Sequence, residues 1–410
     1  MVTVLSNFFT FLLEMWKGYT IFAENKNREM KIVYVYDAIA RIGGVERILV
    51  DKMNYLAEVY GYEIYLITAA QGLHPFSFPL SDKVKHVDID ARFHVQYQYK
   101  YPKRLWVKWK MDRRFKLNLK KQIQQINPDI VIGVTYYKAD VICKLKCRAK
   151  KVIESHCAKS HTGQNEGKER SPIMQWLYKR QLAQYNRTIE TKSDAIVTLT
   201  HGDASEWNSK GEIFTIPNMT KLFSQKDATY EALKVISVGR LVYQKGYDRL
   251  IDAWKIVSHK HPEWQLDIFG EGELKDELLK QISENHLEKT IEIHPPTSHI
   301  TEEYLRSSIY ATSSRFEGFA LVLIEAMSCG LSCISYDCPY GPSDLIKNNE
   351  NGILVENGNI LKLADAICFL IENQEIRQRF GKKAKQTVNR YKPDNIMRQW
   401  HNLFNEITKK

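Results

Sequence analysis

The sequence of 410 residues has no apolar run approaching the roughly 18–20 residues that span a bilayer. It has only seven cysteines, an odd number without the density of a disulfide scaffold. Nor does it have the composition of a disordered chain, a collagen-like repeat or a coiled coil. These absences exclude an integral membrane protein, a disulfide-stapled secreted domain and a fibrous protein. They favour a reducing, cytoplasmic setting.

Apolar residues are plentiful, since 44% of the chain is hydrophobic and 26% is charged. This length predicts two to three domains, each large enough to bury its own core. The net charge of +11 is uneven, because residues 90–192 contain 24 Lys and Arg against 8 Asp and Glu. The rest of the chain is therefore slightly acidic.

Positive charge is densest from Lys100 to Lys121, where Asp112 is the single acid. Aromatic and aliphatic side chains, among them Trp106 and Trp109, lie between the cations. This combination suits the surface of an anionic membrane or a polyanionic ligand. The alternative is a solvated helix face whose aromatic rings enter the core. Because the sequence has no RNP or zinc-finger module, nucleic acid is not an expected partner.

The first 29 residues differ from the rest of the chain. Residues 4–13 are apolar, but no Lys or Arg precedes them and no convincing cleavage site follows, so they do not resemble a secretory signal. Residues 31–36 (KIVYVY) are typical of a buried first strand. We therefore expect the fold to begin at Met30 and residues 1–29 to form a poorly ordered extension. An over-long translation start and a membrane-surface anchor are the alternatives.

Short β-branched runs alternate with helical stretches twice along the chain, which is typical of parallel sheets covered by helices. The fold class is therefore α/β, with two doubly wound halves facing each other across a cleft. We expect domains over residues 30–220 and 233–390, followed by a terminal helix within residues 391–410. In such sheets ligands bind at the carboxyl ends of the strands.

Each half opens with a strand and a glycine turn. In the first half, Gly43 and Gly44 precede a helix, where free N–H groups favour anions. An ordinary tight turn is the alternative. In the second half, Gly239 is followed by a loop that contains Arg240 and Lys245. Two cations on such a loop are well placed to neutralise a diphosphate, although they are also compatible with surface charges.

The segment from Arg315 to Met327 contains two carboxylates, Glu317 and Glu325. Glu325 lies in a wholly apolar stretch, where an ionised carboxylate is costly unless it is paired. Along a helix, eight positions separate the two carboxylates by roughly 12 Å. A glycosidase pair needs about 5–9.5 Å, so the spacing instead suits an elongated ligand. The alternative is a buried Glu325 paired with an Arg. Between the two, the N–H groups of Gly318, Phe319 and Ala320 are expected to face an anion.

These motifs, together with residues 337–344 and Asn351-Gly352, resemble the retaining glycosyltransferases of family 4. The resemblance runs from about Met30 to the C-terminus and is strongest over residues 234–372. It implies the GT-B fold of two Rossmann-like domains. The first would lie on the acceptor side, the second would bind a nucleotide sugar, and the terminal helix would cross back to the first. It also implies that no metal is needed.

The resemblance further implies individual roles. Arg240 and Lys245 would bind the donor diphosphate and stabilise it as it leaves, while Glu325 would bind the ribose. Glu317 would meet hydroxyls of the transferred sugar. The remaining expected contacts are backbone at Gly239 and Gly318 to Ala320 on the donor, Gly43 and Gly44 over the phosphates, and His156 in the cleft. A core or surface histidine is the alternative for His156. Asp344 departs from the family, in which a Glu is common.

The predicted activity is transfer of a hexose-type sugar to a lipid-linked or cell-envelope glycan, with a UDP-sugar favoured over a GDP-sugar. The enzyme would be cytoplasmic or peripheral on the inner face of the cytoplasmic membrane. Two alternatives remain at this point. One is a nucleotide-sugar epimerase on the same fold, which would change the sugar without an acceptor. The other is a non-catalytic protein that binds a membrane or a polyanion.

Overall fold

The computed structural model describes residues 30–40, 43–161 and 171–409, without the side chain of residue 161. The interpretation of residues 1–29 as an extension lies outside the described residues. Within them, no helix is long and apolar enough to cross a membrane.

The strands form two sheets in which every recorded pairing is parallel. The first has the order β3-β2-β1-β4-β5-β6-β7 and the second the order β10-β9-β8-β11-β12-β13. The strands are β1 (Lys31–Tyr36), β2 (Glu63–Thr68), β3 (Lys85–Asp88), β4 (Ile130–Val134), β5 (Lys150–Ser155), β6 (Ala195–Thr198), β7 (Glu212–Thr215), β8 (Lys234–Val238), β9 (Gln265–Phe269), β10 (Ile291–His294), β11 (Ile309–Thr312), β12 (Ser332–Asp337) and β13 (Gly352–Glu356).

Helices connect most successive strands in both halves, and three more follow β13. They are α1 (Gly44–Glu58), α2 (Lys103–Ile126), α3 (Ala139–Cys143), α4 (Pro172–Lys192), α5 (His201–Glu206), α6 (Tyr247–Lys260), α7 (Lys275–Glu284), α8 (Ile300–Leu305), α9 (Leu321–Ser328), α10 (Pro342–Leu345), α11 (Ile360–Glu372), α12 (Gln374–Thr387) and α13 (Pro393–Lys409). The expected α/β class with two doubly wound halves is confirmed.

The first sheet is apolar on both faces because helices cover both. Along β1, Ile32 and Tyr34 pack with α1, whereas Val33 and Val35 pack with α2, α3 and α4 on the opposite face. This alternation follows from the two-residue period of a strand. Since both faces are buried, β1 is a continuous apolar run rather than an alternating one.

The terminal helix α13 lies against the first half of the molecule. Its His401 Nδ1 is 2.6 Å from the Tyr62 hydroxyl, and its Trp400 ring centroid lies 4.3 Å from Lys52 Nζ on α1. Trp400 and Phe404 are buried. The helix thus ties the end of the chain to α1 and β2.

Candidate active site

Two helix N-termini face each other between the halves. A Cβ built on Gly44, at the start of α1, would lie 3.7 Å from Leu321 Cδ1 at the start of α9. Gly43 precedes α1 in an extended conformation, and Ala320 precedes α9 with a φ of 51°. Free N–H groups at such ends attract anions. Positive potential from both halves therefore converges on one point.

Lys245 and Glu317 form a largely buried ion pair beside the start of α9. Lys245 Nζ donates to Glu317 Oε1 over 2.7 Å, and the Ser314 hydroxyl donates to the same oxygen over 2.6 Å. Glu317 is only 6% exposed, and its backbone N–H donates to Pro339 O. Glu317 precedes α9, so the helical rise behind the sequence estimate of 12 Å does not apply to it. Ser314 was not singled out from the sequence.

Arg240 follows β8, and its side chain is exposed. In the part of the chain that the structure describes, its guanidinium makes no ion pair. The preceding Gly239 N–H donates to Phe269 O, which aligns the ends of β8 and β9. Gly246 closes the loop with a φ of 63°, and a Cβ there would meet Ser313 O at 2.3 Å. The loop is thus fixed while Arg240 is left available to a ligand.

Glu325 lies on α9, 8% exposed, and Arg47 Nη1 donates to its Oε1 over 3.0 Å. Burial raises the pKa of Glu325 above its ordinary value, and Arg47 opposes that shift. The alternative of a buried Glu325 paired with an Arg therefore describes the ligand-free molecule. Because Arg47 belongs to α1, the ion pair spans the cleft. Arg47 lies in the first turn of α1, shortly after Gly43 and Gly44, but the sequence does not reveal its partner.

His156 follows β5 and turns its ring inward. Its Nε2 lies 2.8 Å from Glu154 Oε2, and that carboxylate also pairs with Lys52 of α1. All three side chains are buried. Burial opposes the charge on Glu154, yet Lys52 and His156 lower the pKa of this carboxyl to about 2. Sequence reasoning missed Glu154 and Lys52, because a charge inside a strand or helix pattern does not name its partner.

The backbone of His156 nevertheless meets the loop that precedes α9. A Cβ built on Gly318 would lie 2.5 Å from His156 O. Phe319 is buried, with its ring centroid 5.6 Å from that of Tyr391. The structure therefore brings Gly318 to the His156 backbone, Lys245 to Glu317, and Gly44 to the start of α9.

The chain is similar in sequence to known glycosyltransferases. Residues 219–387 match the family model described as Glycosyl transferases group 1. The chain is 27% identical over 378 residues to an uncharacterized glycosyltransferase of Haemophilus influenzae, which covers 91% of this chain and 99% of the relative. It is 40% identical over 172 residues to the amylovoran biosynthesis glycosyltransferase AmsD of Erwinia amylovora, over 42% of this chain and 48% of AmsD.

Solved structures show the same fold. A TarM structure from Staphylococcus aureus, in complex with fondaparinux, alpha-GlcNAc-glycerol and UDP, covers 92% of this chain and 100% of that chain. Its TM-score is 0.69 at 17% sequence identity. The apo structure of the lipopolysaccharide outer core galactosyltransferase WaaB gives a TM-score of 0.67 at 18% identity, over 92% of this chain and 100% of that one. The chain is a GT-B glycosyltransferase.

The seven cysteines of this glycosyltransferase are all free thiols. Among the described residues, one group has the spacing of metal ligands: Asp267, Glu292 and His294. Asp267 already pairs with Lys234 over 2.6 Å, and His294 stacks on Phe269. Asp267 lies in β9, whereas Glu292 and His294 lie in the neighbouring strand β10.

Replacing Gly318 with Ala should slow the glycosyltransferase about 10-fold or more. The new methyl group would collide with the rigid carbonyl of His156 and push the two halves apart. A displacement of about 1 Å at an active site can cost up to 10²-fold in rate. The check is kcat for Gly318→Ala, with thermal unfolding measured in parallel to confirm that the chain still folds. Unchanged kcat would show that the halves need not approach this closely during the reaction.

Proposed function

We propose that the protein is a retaining, metal-independent hexosyltransferase. It moves a sugar from a nucleotide-sugar donor, a UDP-sugar in preference to a GDP-sugar, to a hydroxyl of a lipid-linked or cell-envelope glycan. The observation that carries this proposal is the convergence of the α1 and α9 N-termini, Lys245 and Glu317 on one cleft.

The diphosphate would lie between the two helix N-termini. Arg240 is exposed, and Glu317 fixes the position of the Lys245 ammonium group beside the start of α9. Both cations would therefore contact phosphate oxygens. Together with the helix N-termini they neutralise the two charges that develop on the leaving group. Because the protein itself supplies this positive charge, turnover should persist in the presence of a chelator.

Glu325 would bind the ribose after exchanging its Arg47 partner for sugar hydroxyls. The ribose hydroxyls would then donate to the carboxylate in place of Arg47, because a buried carboxylate needs a hydrogen-bond donor. It also frees Arg47 at the mouth of the cleft, beside the N-terminus of α1. Nucleotide binding would thus replace an ion pair that bridges the two halves.

The reaction would proceed on one face of the sugar. The bond from C1 to the diphosphate oxygen breaks, a bond from C1 to the acceptor oxygen forms, and the acceptor proton passes to the departing phosphate. No protein nucleophile is required, so the protein contributes positioning and electrostatic stabilisation. The backbone around Gly318 would contact the transferred sugar, and Glu317 its hydroxyls.

The names of two relatives support the proposed linkage and acceptor class. The poly(ribitol-phosphate) alpha-N-acetylglucosaminyltransferase of Staphylococcus aureus is 33% identical over 195 residues, 47% of this chain and 39% of that protein. Its name specifies an alpha linkage and a poly(ribitol-phosphate) acceptor. AmsD is named for synthesis of the polysaccharide amylovoran. The chain spans about half or less of these two proteins, and the transfer of their chemistry to it belongs to our proposal.

A nucleotide panel tests this function. We expect UDP, rather than GDP or ADP, to raise the melting temperature, since a ligand at about 100 times its Kd adds roughly 2.7 kcal/mol. Glu325→Gln should weaken UDP binding about 10- to 100-fold, because hydrogen bonds to a charged group contribute about 1.5–3 kcal/mol. The exposed Glu302, which also belongs to the second half, gives the matched control Glu302→Gln.

The proposed role of Glu325 also predicts that UDP affinity depends on pH. Because the pKa of Glu325 is raised in the free protein, the carboxylate becomes protonated at a higher pH than an exposed Glu. As the pH is lowered, UDP affinity should therefore begin to fall at a pH above 4.5, the ordinary pKa of a Glu carboxyl. The Glu325→Gln variant should not show this fall. The effect on stability has the opposite sign, since a raised carboxyl pKa lowers stability as pH increases. No stabilisation by any nucleotide would refute the proposed donor site.

A further inference from the structure

An apolar stripe on α4 faces solvent. Ile173, Trp176 and Leu177 recur with the i, i+3, i+4 spacing by which a helix normally covers a core. Yet their side chains are 72%, 58% and 46% exposed. The one residue that α4 buries is Ile189, near its far end. The first half of α4 therefore projects beyond the core.

Helix α2 has a similar exposed stripe. Its core-facing side chains, Phe115, Leu119 and Ile123, follow one side of the helix. Trp106 and Trp109, near the start of the helix, are 59% and 58% exposed. Large apolar rings rarely cluster on the free surface of a soluble protein unless they meet a partner or a membrane.

The two stripes belong to one face of the molecule. Both helices pack on the same side of the first sheet, where Phe115 of α2 and Ile189 of α4 share a core. A groove between them is lined by Lys108 and Lys116 of α2 and by Gln181 of α4. Each helix leads into a parallel strand, so each begins at the carboxyl-end edge of the sheet, the edge that also carries His156. We call residues 105–116 and 173–180 the two-helix face.

Charge identifies the occupant of this face. Helix α2 contains nine Lys and Arg against Asp112, and residues 172–183 contain Lys179 and Arg180 without an acid. Cations also lie over the exposed tryptophan rings: Lys110 over Trp106 at 5.5 Å, Arg113 over Trp109 at 5.7 Å and Arg180 over Trp176 at 5.5 Å. Trp rings flanked by Lys and Arg suit the interface of an anionic bilayer, where rings enter the headgroup region and cations meet phosphates.

We propose that the two-helix face docks the protein on an anionic lipid bilayer. A second copy of the chain fits less well, because a symmetric contact would set this basic surface against itself. Docking would hold the carboxyl-end edge of the first sheet beside a lipid-linked acceptor. This purpose of the docking rests on the proposed function. Binding to the bilayer itself requires no donor and no turnover.

Co-sedimentation of the full chain with vesicles tests the docking. We expect binding to vesicles of phosphatidylcholine with phosphatidylglycerol, weakened by salt, and little binding to phosphatidylcholine alone. Lys110→Gln/Arg113→Gln should weaken binding about 30-fold, which corresponds to about 1 kcal/mol for each charge. Ile173→Ser/Trp176→Ser should weaken it at least about 10-fold, since apolar burial is lost. Leu279→Ser/Leu361→Ser, which changes exposed apolar residues of the other half, is the matched control.

Three outcomes would overturn the docking: no binding to either vesicle, equal binding by all variants, or concentration-dependent self-association that the same substitutions abolish. Thermal unfolding with and without UDP, measured on every variant, confirms that each one folds. It also separates the two proposals. Vesicle binding without a response to UDP would refute the donor site alone, whereas a response to UDP without vesicle binding would refute the docking alone.

Discussion

Replacing Lys245 with Met should lower kcat about 10²–10³-fold while the chain remains folded. The ammonium group is held by Glu317 Oε1 at 2.7 Å, and only 14% of the side chain is exposed. In the proposed reaction, a charge so fixed would be preorganised for the departing diphosphate, and removing one such donor typically costs about 10²–10³ in rate. Met retains most of the volume and removes the charge, so the loss measures electrostatics rather than packing.

The measurement is steady-state kinetics with donor and acceptor, alongside UDP affinity and unfolding. Because the charge on the leaving group grows during the reaction, kcat should fall more than KM rises. Lys362→Met is the matched control, since Lys362 pairs with Glu356 over 2.8 Å on the surface of the same half. Near-normal turnover with unchanged UDP affinity in Lys245→Met would assign the diphosphate to other groups.

Replacing Glu154 with Gln should lower the free energy of unfolding by about 3–5 kcal/mol, because it leaves the Lys52 ammonium buried without its counter-charge. The side chains of Lys52 and Glu154 are 3% and 2% exposed, so water cannot take over. Such a loss is large against the 5–15 kcal/mol that stabilises a typical domain. Chemical denaturation at neutral pH measures it.

The matched double variant, Lys52→Met/Glu154→Gln, should recover most of the lost stability, because neither charge then remains buried. A pH titration gives a second test. The pKa of Glu154 is about 2 when folded against an ordinary 4.5, so its stabilisation is complete above about pH 4.5 and is lost as pH falls towards 2. The double variant should lack that part of the acid destabilisation. Equal stability of the single variant and the original chain would mean that the pair contributes nothing.

Much of the fold could be read from the sequence because strand and helix periods are local. The strand predicted over residues 31–36 coincides with β1, and the terminal helix predicted within residues 391–410 is α13. The strand β13 was missed, because it is short and begins with Gly352, a residue that disfavours strands. The short helices α3, α5, α8 and α10 were missed as well, since four to six residues show no reliable period.

The sequence alone also indicated the chemical groups of the proposed donor site, since Arg240, Lys245, Glu317 and Glu325 lie in local motifs with fixed spacing. Tertiary structure decided their partners. Arg47 meets Glu325 across 278 positions, and Lys52 meets Glu154 across 102. An ion pair depends on distance in space, which no local pattern encodes. For the same reason, the spacing of Ile173, Trp176 and Leu177 suits a core, and only the packing of α4 leaves this stripe exposed to solvent.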